Sequence, residues 1–184
     1  MQVKKLAIKG LTAIYPEQST DENGRYSYFF DREQFKELGV LSEFVQEHAS
    51  CYAMKWTVRG LHFQAPPKDQ FKLVRVTKGR ILDFCVDIRT NSPSYGVHES
   101  IELSADSWLQ LLVPPGIAHG FCTLESDTEV SFRLTQRNDK ELLRGLLWND
   151  PELKVPWPCG NTPSYIYKVD QSWPTLKNLQ SPFH

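Results

Sequence analysis

Short apolar runs separated by turn residues recur along the chain, and this pattern predicts an all-β fold. The pattern is clearest in residues 58–136, where Lys78-Gly79 and Pro114-Pro115-Gly116 interrupt the runs. The strands predicted in this region cover residues 73–77, 80–88, 97–103, 108–113, 118–121 and 129–135. Several short strands at regular spacing are typical of a β-barrel or a β-sandwich.

The N-terminal part also contains strand patterns. Residues 3–14 are rich in strand-forming side chains and are interrupted by Gly10, which predicts two short strands. Residues 44–48 and 54–58 alternate between apolar and polar side chains. We expect two further strands there, joined by a polar connection around Ser50.

One short helix is predicted between these strand regions. Residues 31–39 start at an N-cap candidate, Asp31, and end at Gly39. Phe35 and Leu38 are three positions apart, so both would lie on one face of the helix.

We expect the whole chain, residues 1–184, to form one domain, because its length and its 40% hydrophobic content suit a single core. Its predicted parts are N-terminal strands with a short helix (1–57), a barrel core (58–136) and an irregular, proline-rich C-terminal segment (137–184). Residues 171–179 predict a short terminal helix.

Charge and composition favour a small ligand over a macromolecular polyanion. The net charge is -1, which gives no electrostatic footprint for nucleic acid or for an anionic membrane surface. The apolar runs are too short to span a bilayer and the first residues do not have the pattern of a signal peptide, so we expect a cytoplasmic protein. The four cysteines have no C-x-x-C spacing, and we expect Cys85 and Cys122 to be buried and reduced.

Several polar side chains interrupt the apolar strands at 59–64, 72–76 and 80–87. His62 and Lys72 have Leu, Phe and Val as neighbours in sequence, so they need a partner or a ligand if they are buried. A lone histidine in an apolar strand is more often a structural residue than a catalyst. The clustering of several such groups favours a functional site.

Six segments resemble those of the dTDP-4-dehydrorhamnose 3,5-epimerases in both order and spacing. They are RGLHFQ (59–64), KLVRV (72–76), DFCVDIR (83–89) followed by Ser92-Pro93, ELS (102–104), PGIAHGF (115–121) and WNDP (148–151). The resemblance implies an all-β double-stranded β-helix, the cupin jelly roll, with a few short helices. It also implies a homodimer that uses neither a metal nor an organic cofactor.

In this family the reaction inverts carbons beside the C4 ketone of a nucleotide-linked 4-keto-6-deoxyhexose, so the implied ligand is a nucleoside-diphosphate sugar, most simply a dTDP-sugar. Removal of a proton next to a ketone requires a base near the carbon and a positive group near the oxygen. The resemblance implies that His62 is the base, that Asp170 orients it, and that Lys72 faces the developing enolate.

The remaining implied roles concern orientation and binding. Asp83 would orient Lys72, Arg59 would bind the diphosphate with its planar guanidinium, and His119 would complete the sugar pocket. Structural interpretations stay open: Asp83 and Asp170 as turn or surface carboxylates, Arg59 as half of an ion pair, and His119 as a turn-stabilising residue.

The chain departs from the family at the expected proton donor. The family usually has a tyrosine on the strand after the PGIAHGF segment, and ungapped alignment from His119 places Phe132 there. A phenyl ring cannot donate a proton, although it can still contact the sugar. Either another side chain or water supplies the acid, or only one of C3 and C5 is inverted, or the protein binds a sugar nucleotide without turning it over.

The nucleotide end also departs from the family. Asn23 and Tyr28 replace the usual arginine and glutamate, whereas Tyr26 keeps an aromatic ring that could stack on a base. Gln46 is a further expected substrate contact, and His48 stands two positions later where the family often has asparagine.

Two other functions remain open from the sequence. In a metal-dependent cupin, His62, His119 and a carboxylate would bind iron, manganese or zinc, although Gly60 stands where such proteins usually have the first histidine of a His-x-His pair. The other alternative is a non-catalytic protein that binds sugar nucleotides and has lost its acid.

Overall fold

The computed structural model describes all residues 1–184, and its main feature is a pair of β-sheets with their inner faces packed together. The strands, in chain order, are β1 (Gln2–Lys5), β2 (Thr12–Tyr15), β3 (Ser19–Asp21), β4 (Gly24–Tyr26), β5 (Gln46–Tyr52), β6 (Thr57–Gln64), β7 (Lys72–Lys78), β8 (Arg80–Asp87), β9 (His98–Ser104), β10 (Gln110–Val113), β11 (Ile117–Thr123), β12 (Thr128–Leu134), β13 (Leu143–Gly145) and β14 (Tyr165–Ile166). The predicted all-β class is confirmed.

The first sheet has the strand order β1-β2-β10-β7-β12-β5, and all of its pairs are antiparallel. The second sheet has the order β13-β6-β11-β8-β9, and β14 adds to it as a parallel partner of β6. Strands β3 and β4 form a separate exposed hairpin.

The main core lies between the sheets because strands of both sheets alternate apolar side chains toward this space. From the first sheet it receives, for example, Val74 and Val130, and from the second Ile81 and Ile117. Sixteen buried hydrophobic residues form this cluster. It leaves a polar-lined cavity between the sheets rather than filling the space throughout.

The outer faces of both sheets are covered by other parts of the chain. Helix α1 (Arg32–Glu37) packs Phe35 against Leu73 and Leu112 of the first sheet. Its N-cap is Asp31, which accepts a hydrogen bond from the backbone of Gln34, as the sequence predicts.

The C-terminal segment covers the second sheet with its tryptophans. Trp148 and Trp157 belong to the same buried cluster as Phe84, and the rings of Phe84 and Trp157 are 4.6 Å apart. This packing places the C-terminal segment against the second sheet, where β14 pairs with β6. Residues far apart in sequence thereby meet at one site.

Two sequence-based expectations were wrong in detail. Strand β5 continues through Ser50 to Tyr52, and the connection lies instead at residues 53–56, where Trp56 has a φ of 62°. Residues 171–179 do not form one helix, because Pro174 has no N–H to continue it. Two short 3-10 helices, Lys168–Gln171 and Leu176–Asn178, flank that proline.

The cysteines are all free thiols. Cys85 and Cys122 are buried, as expected, and so is Cys159, whereas Cys51 is exposed. None of the helices is long and apolar enough to cross a lipid bilayer.

Candidate active site

A cavity of about 290 Å³ lies between the two sheets and is lined by residues of both. The polar groups of its wall include His62 and Arg59 from the second sheet and His48 and Lys72 from the first. A larger concavity, of about 480 Å³, lies beside α1, but no histidine and none of the predicted catalytic residues lines it. The chemistry predicted from the sequence is therefore concentrated in the smaller cavity.

His62, in the wall of this cavity, forms a hydrogen-bonded pair with Asp170. Nε2 of His62 lies 2.5 Å from Oδ1 of Asp170, whose side chain is fully buried. The other carboxylate oxygen accepts a hydrogen bond of 2.9 Å from the backbone N–H of Gly60. An ionised carboxylate only accepts, so the neutral ring carries its proton on Nε2 and Nδ1 is free to act as a base.

Burial lowers the pKa of His62, although the hydrogen bond that the ring donates to Asp170 and the charge of that carboxylate act in the opposite direction. The ring is therefore neutral near pH 7, which is the form that can accept a proton.

The alternation of β6 determines which of its side chains reach the cavity. Leu61 and Phe63 point into the cluster on the outer face, so His62 and Gln64 point inward. Gly60 permits the close approach of β11: it has a φ of 105°, and a Cβ at this position would lie 2.6 Å from the Cα of Gly120. Strand β11 is held against β6 at the level of the base.

Lys72 lies on β7 in the facing sheet, and its Nζ donates a hydrogen bond of 3.3 Å to the carbonyl of His62. Burial lowers the pKa of this lysine to about 8, against the opposing influence of Cys85 and Asp83. A protonated amine at this position would put a localised positive charge next to the base.

Asp83 is paired differently from the expectation. Its Oδ2 lies 2.8 Å from Nε2 of His119, and both side chains are buried. It acts on Lys72 only through its charge, as no hydrogen bond joins the two. Burial raises the pKa of Asp83, while the proximity of His119 opposes that rise. The sequence identified both residues but not their partnership.

Arg59 lies at another part of the cavity wall, and two aromatic rings pack near its guanidinium. The guanidinium carbon is 4.5 Å from the ring centre of Tyr167 and 5.9 Å from that of Tyr52. It forms no ion pair with a carboxylate of the chain, so its five donors are available to an anionic ligand.

Phe132 lines the cavity at the position expected for the tyrosine. It is 8% exposed, and its ring stacks on the ring of His48 with centroids 5.1 Å apart and planes inclined by 18°. Phe121 and His119 also pack against it.

Two predicted substrate contacts lie away from this cavity. Gln46 faces the concavity beside α1, and its Oε1 accepts a hydrogen bond of 2.8 Å from the backbone of Asn138, which does line the cavity. Tyr26 is 57% exposed on the β3–β4 hairpin, where its ring meets that of Tyr28 edge to face. Within one chain, neither side chain reaches the base.

Sequence reasoning missed the remaining polar residues of the wall. Ser50 and Tyr52 follow His48 at two-residue intervals along β5, and all three line the cavity. This two-residue alternation is recognisable in the sequence only if the strand is predicted to continue past Ser50. The chain contains no group of three or more His, Cys, Asp or Glu side chains arranged to hold a metal ion.

Comparison with known proteins gives consistent matches across the chain. A family model described as dTDP-4-dehydrorhamnose 3,5-epimerase matches residues 5–178. A protein of that name from Sinorhizobium fredii is 40% identical over 183 residues, covering 100% of this chain and 93% of the relative.

Solved structures agree with the sequence matches. The crystal structure of dTDP-4-dehydrorhamnose 3,5-epimerase from Bacillus anthracis with TDP and PPi bound superposes with a TM-score of 0.90 at 37% identity, covering 95% of this chain and 98% of that one. The dTDP-6-deoxy-D-glucose-3,5-epimerase of Legionella pneumophila, in complex with dTDP-4-keto-L-rhamnose, has a TM-score of 0.92 at 30% identity. This match covers 100% of this chain and 98% of that one. The predicted double-stranded β-helix is thereby confirmed, and the chain belongs to the dTDP-4-dehydrorhamnose 3,5-epimerase family.

Proposed function

We propose that this protein is an isomerase that inverts C3, C5 or both in a nucleotide-linked 4-keto-6-deoxyhexose, and so acts in deoxysugar biosynthesis. The observation that carries the proposal is the His62–Asp170 pair in a cavity that also contains Lys72. A base held in one tautomer and a positive group beside it are the two requirements for proton removal next to a ketone.

The proposed first step moves one proton and one electron pair. Nδ1 of His62 takes the proton from carbon, and the C–H electrons form the carbon–carbon double bond of an enolate whose negative charge lies on the former ketone oxygen. The ammonium of Lys72 stabilises that oxygen, since a compact charge suits a localised oxyanion. Asp170 stabilises the imidazolium that forms on His62.

Arg59 supports the assignment of a diphosphate to the substrate. Its guanidinium has aromatic neighbours and no acidic partner, which leaves it free for bidentate contact with phosphate oxygens. The Bacillus anthracis relative has TDP bound and the Legionella pneumophila relative a dTDP-sugar, so we infer dTDP as the nucleotide carried by the substrate.

We also propose a homodimer. The β3–β4 hairpin is exposed along both strands, and Tyr26 and Tyr28 present aromatic surface there that one chain leaves uncovered. A second copy would cover this surface and would give Tyr26 a route to a bound nucleotide. Light scattering on the purified protein should give the mass of two chains, and a stable monomer would contradict the proposal.

The reaction is tested by incubation with dTDP-4-keto-6-deoxyglucose in heavy water, with NMR analysis of the deuterium at each sugar carbon. Label at C3, at C5 or at both supports the proposal and defines which carbons react. The His62→Ala variant should lose the label while still binding dTDP. Absence of label with the wild-type protein would overturn the proposal. Labelling by His62→Ala at the wild-type level would overturn the role of His62 as the base.

A further inference from the structure

Inversion requires a second proton-transfer group, because the proton must return to the face of the carbon opposite the base. The family resemblance places a tyrosine for this purpose where the chain has Phe132. The phenyl ring lies in the cavity wall but has no proton to donate. If the proposed epimerase function is correct, another group of this chain must supply the acid.

His48 lies directly beside Phe132, the residue that stands where the family usually has the tyrosine. Strand β5 pairs with β12 so that His48 and Phe132 are opposite each other, and their side chains therefore share one face of the sheet. The two rings are stacked, and both line the cavity. The imidazole thus brings ionisable nitrogens to the place where the phenol would have been.

The sheets put His48 and the base on opposite sides of the cavity. His62 extends from β6 in the second sheet, whereas His48 extends from β5 in the first. A sugar bound between the sheets would have one ring on each side. Proton removal from one face and proton delivery to the other is the geometry that inversion needs.

The environments of the histidines separate their roles. His62 has Asp170 and His119 has Asp83 as carboxylate partners, but His48 has none. Its Nδ1 is buried and has no hydrogen-bond partner in the protein. Burial and the charge of Lys72 lower the pKa of His48, so its imidazolium is the minor form near pH 7 but a stronger acid than an ordinary imidazolium, and it gives up its proton readily.

We propose that His48 is the proton donor that replaces the tyrosine in this chain. The imidazolium of His48 gives its proton to the enolate carbon, the enolate electrons form the new C–H bond, and the C4 ketone is restored. His48 is left neutral and His62 protonated. Exchange of both rings with solvent resets them for the next turnover.

Tyr52 is the competing donor, because its phenol also lines the cavity. Its charged neighbours are Arg59 and Asp170, which belong to the side of the base. Its ring packs on Phe121, and its strand partner is Thr128 rather than Phe132. These contacts favour His48 for delivery to the opposite face.

The test separates proton removal from inversion by measuring two rates in heavy water with dTDP-4-keto-6-deoxyglucose. One is deuterium entry with the configuration retained, and the other is formation of the inverted sugar. His48→Asn should lower inversion by about 100-fold or more while deuterium entry at the retained configuration continues, since His62 is intact. Tyr52→Phe should leave the ratio of the two rates unchanged.

A double variant guards against a merely structural effect of the substitution. Phe132→Tyr in the His48→Asn background should recover inversion, because a phenol then stands beside the vacated position. Thermal melting and dTDP binding verify that each variant is folded. Unchanged inversion by His48→Asn, or selective loss of inversion by Tyr52→Phe, would overturn the assignment of His48 and leave the epimerase proposal standing. A wild-type protein that exchanges no deuterium would overturn both the epimerase proposal and this inference.

Discussion

Nε2 of His62 lies 2.5 Å from Oδ1 of Asp170, although the two residues are 108 positions apart in the sequence. The same carboxylate also accepts the backbone N–H of Gly60, so it is fixed at both oxygens. This double attachment holds the imidazole in one orientation. It makes Asp170 the residue on which the tautomer of the proposed base depends.

Replacement of Asp170 by asparagine should therefore reduce catalysis without removing the ligand site. An amide can donate to Nε2 and so shift the ring proton to Nδ1, the nitrogen that has to accept. We expect the rate of deuterium entry at carbon to fall by about 100-fold or more, as for other carboxylates that fix the tautomer of a catalytic histidine. Isothermal titration should find dTDP affinity within about threefold of the wild type.

Asp150 provides a matched control for this substitution. It is as deeply buried as Asp170, and it accepts backbone hydrogen bonds from Glu152, Leu153 and Leu176 away from the cavity. Asp150→Asn should lower thermal stability but not the exchange rate of the folded fraction. Equal loss of rate in both variants would mean that Asp170 acts through stability alone.

The deuterium exchange rate should fall at alkaline pH because Lys72 loses its proton there. The pKa of about 8 means that the ammonium is present below that pH and is lost above it, so the exchange rate should fall as the pH rises through about 8. On the acidic side the exchange rate should stay constant down to a pH below 6.5, because the pKa of His62 is lowered from its ordinary value of 6.5.

Lys72→Arg distinguishes this cause from general alkaline damage. A guanidinium remains charged throughout the range, so the fall near pH 8 should disappear even though its diffuse charge gives a slower enzyme. Rates measured at saturating substrate between about pH 6 and about pH 10 provide the comparison. If the fall in rate at alkaline pH persists unchanged in Lys72→Arg, the titration of another group causes it.

The sequence predicted His62 and Lys72 as site residues from contiguous motifs of strand-forming residues, and both line the cavity. It predicted Asp83 and His119 as site residues but not their hydrogen bond. Alternation along a strand tells which face a side chain occupies, whereas the partner across the sheet depends on register. Phe121, not His119, is the residue opposite Asp83 in that register, so the contact is diagonal.

His48 shows a second limit of sequence-based prediction. The family resemblance marked His48 as a departure from asparagine and Phe132 as a departure from tyrosine, and the two residues are 84 positions apart. Only the pairing of β5 with β12 shows that the two departures are neighbours. The early end predicted for the strand at residue 48 concealed that its inward face continues to Ser50 and Tyr52.

Gly60→Ala should destabilise the fold through both a backbone and a packing effect. The residue has a φ of 105°, and an added Cβ would lie 2.7 Å from the carbonyl oxygen of His119 as well as against Gly120. We expect a loss of about 2–4 kcal/mol in the free energy of unfolding, measured by urea denaturation.

Gly39→Ala isolates the backbone part of that loss. Gly39 has a φ of 87°, and no atom lies within 4 Å of the added Cβ. Its cost should be about 1–2 kcal/mol, the strain of a left-handed conformation without a clash. Equal losses at the two positions would show that the contact between β6 and β11 relaxes freely.

Phe132→Tyr in the otherwise native chain tests how far the missing phenol limits the reaction. The new hydroxyl would enter the cavity between the sheets beside His48 and provide a second donor. We expect faster turnover or a second inverted carbon, measured as deuterium at C3 and C5 by NMR. Phe121→Tyr is the control, because it adds a phenol to the same cavity from the sheet that holds the base. It should give no gain. An unchanged rate and an unchanged labelling pattern in Phe132→Tyr would show that protonation does not limit the reaction from this side of the cavity.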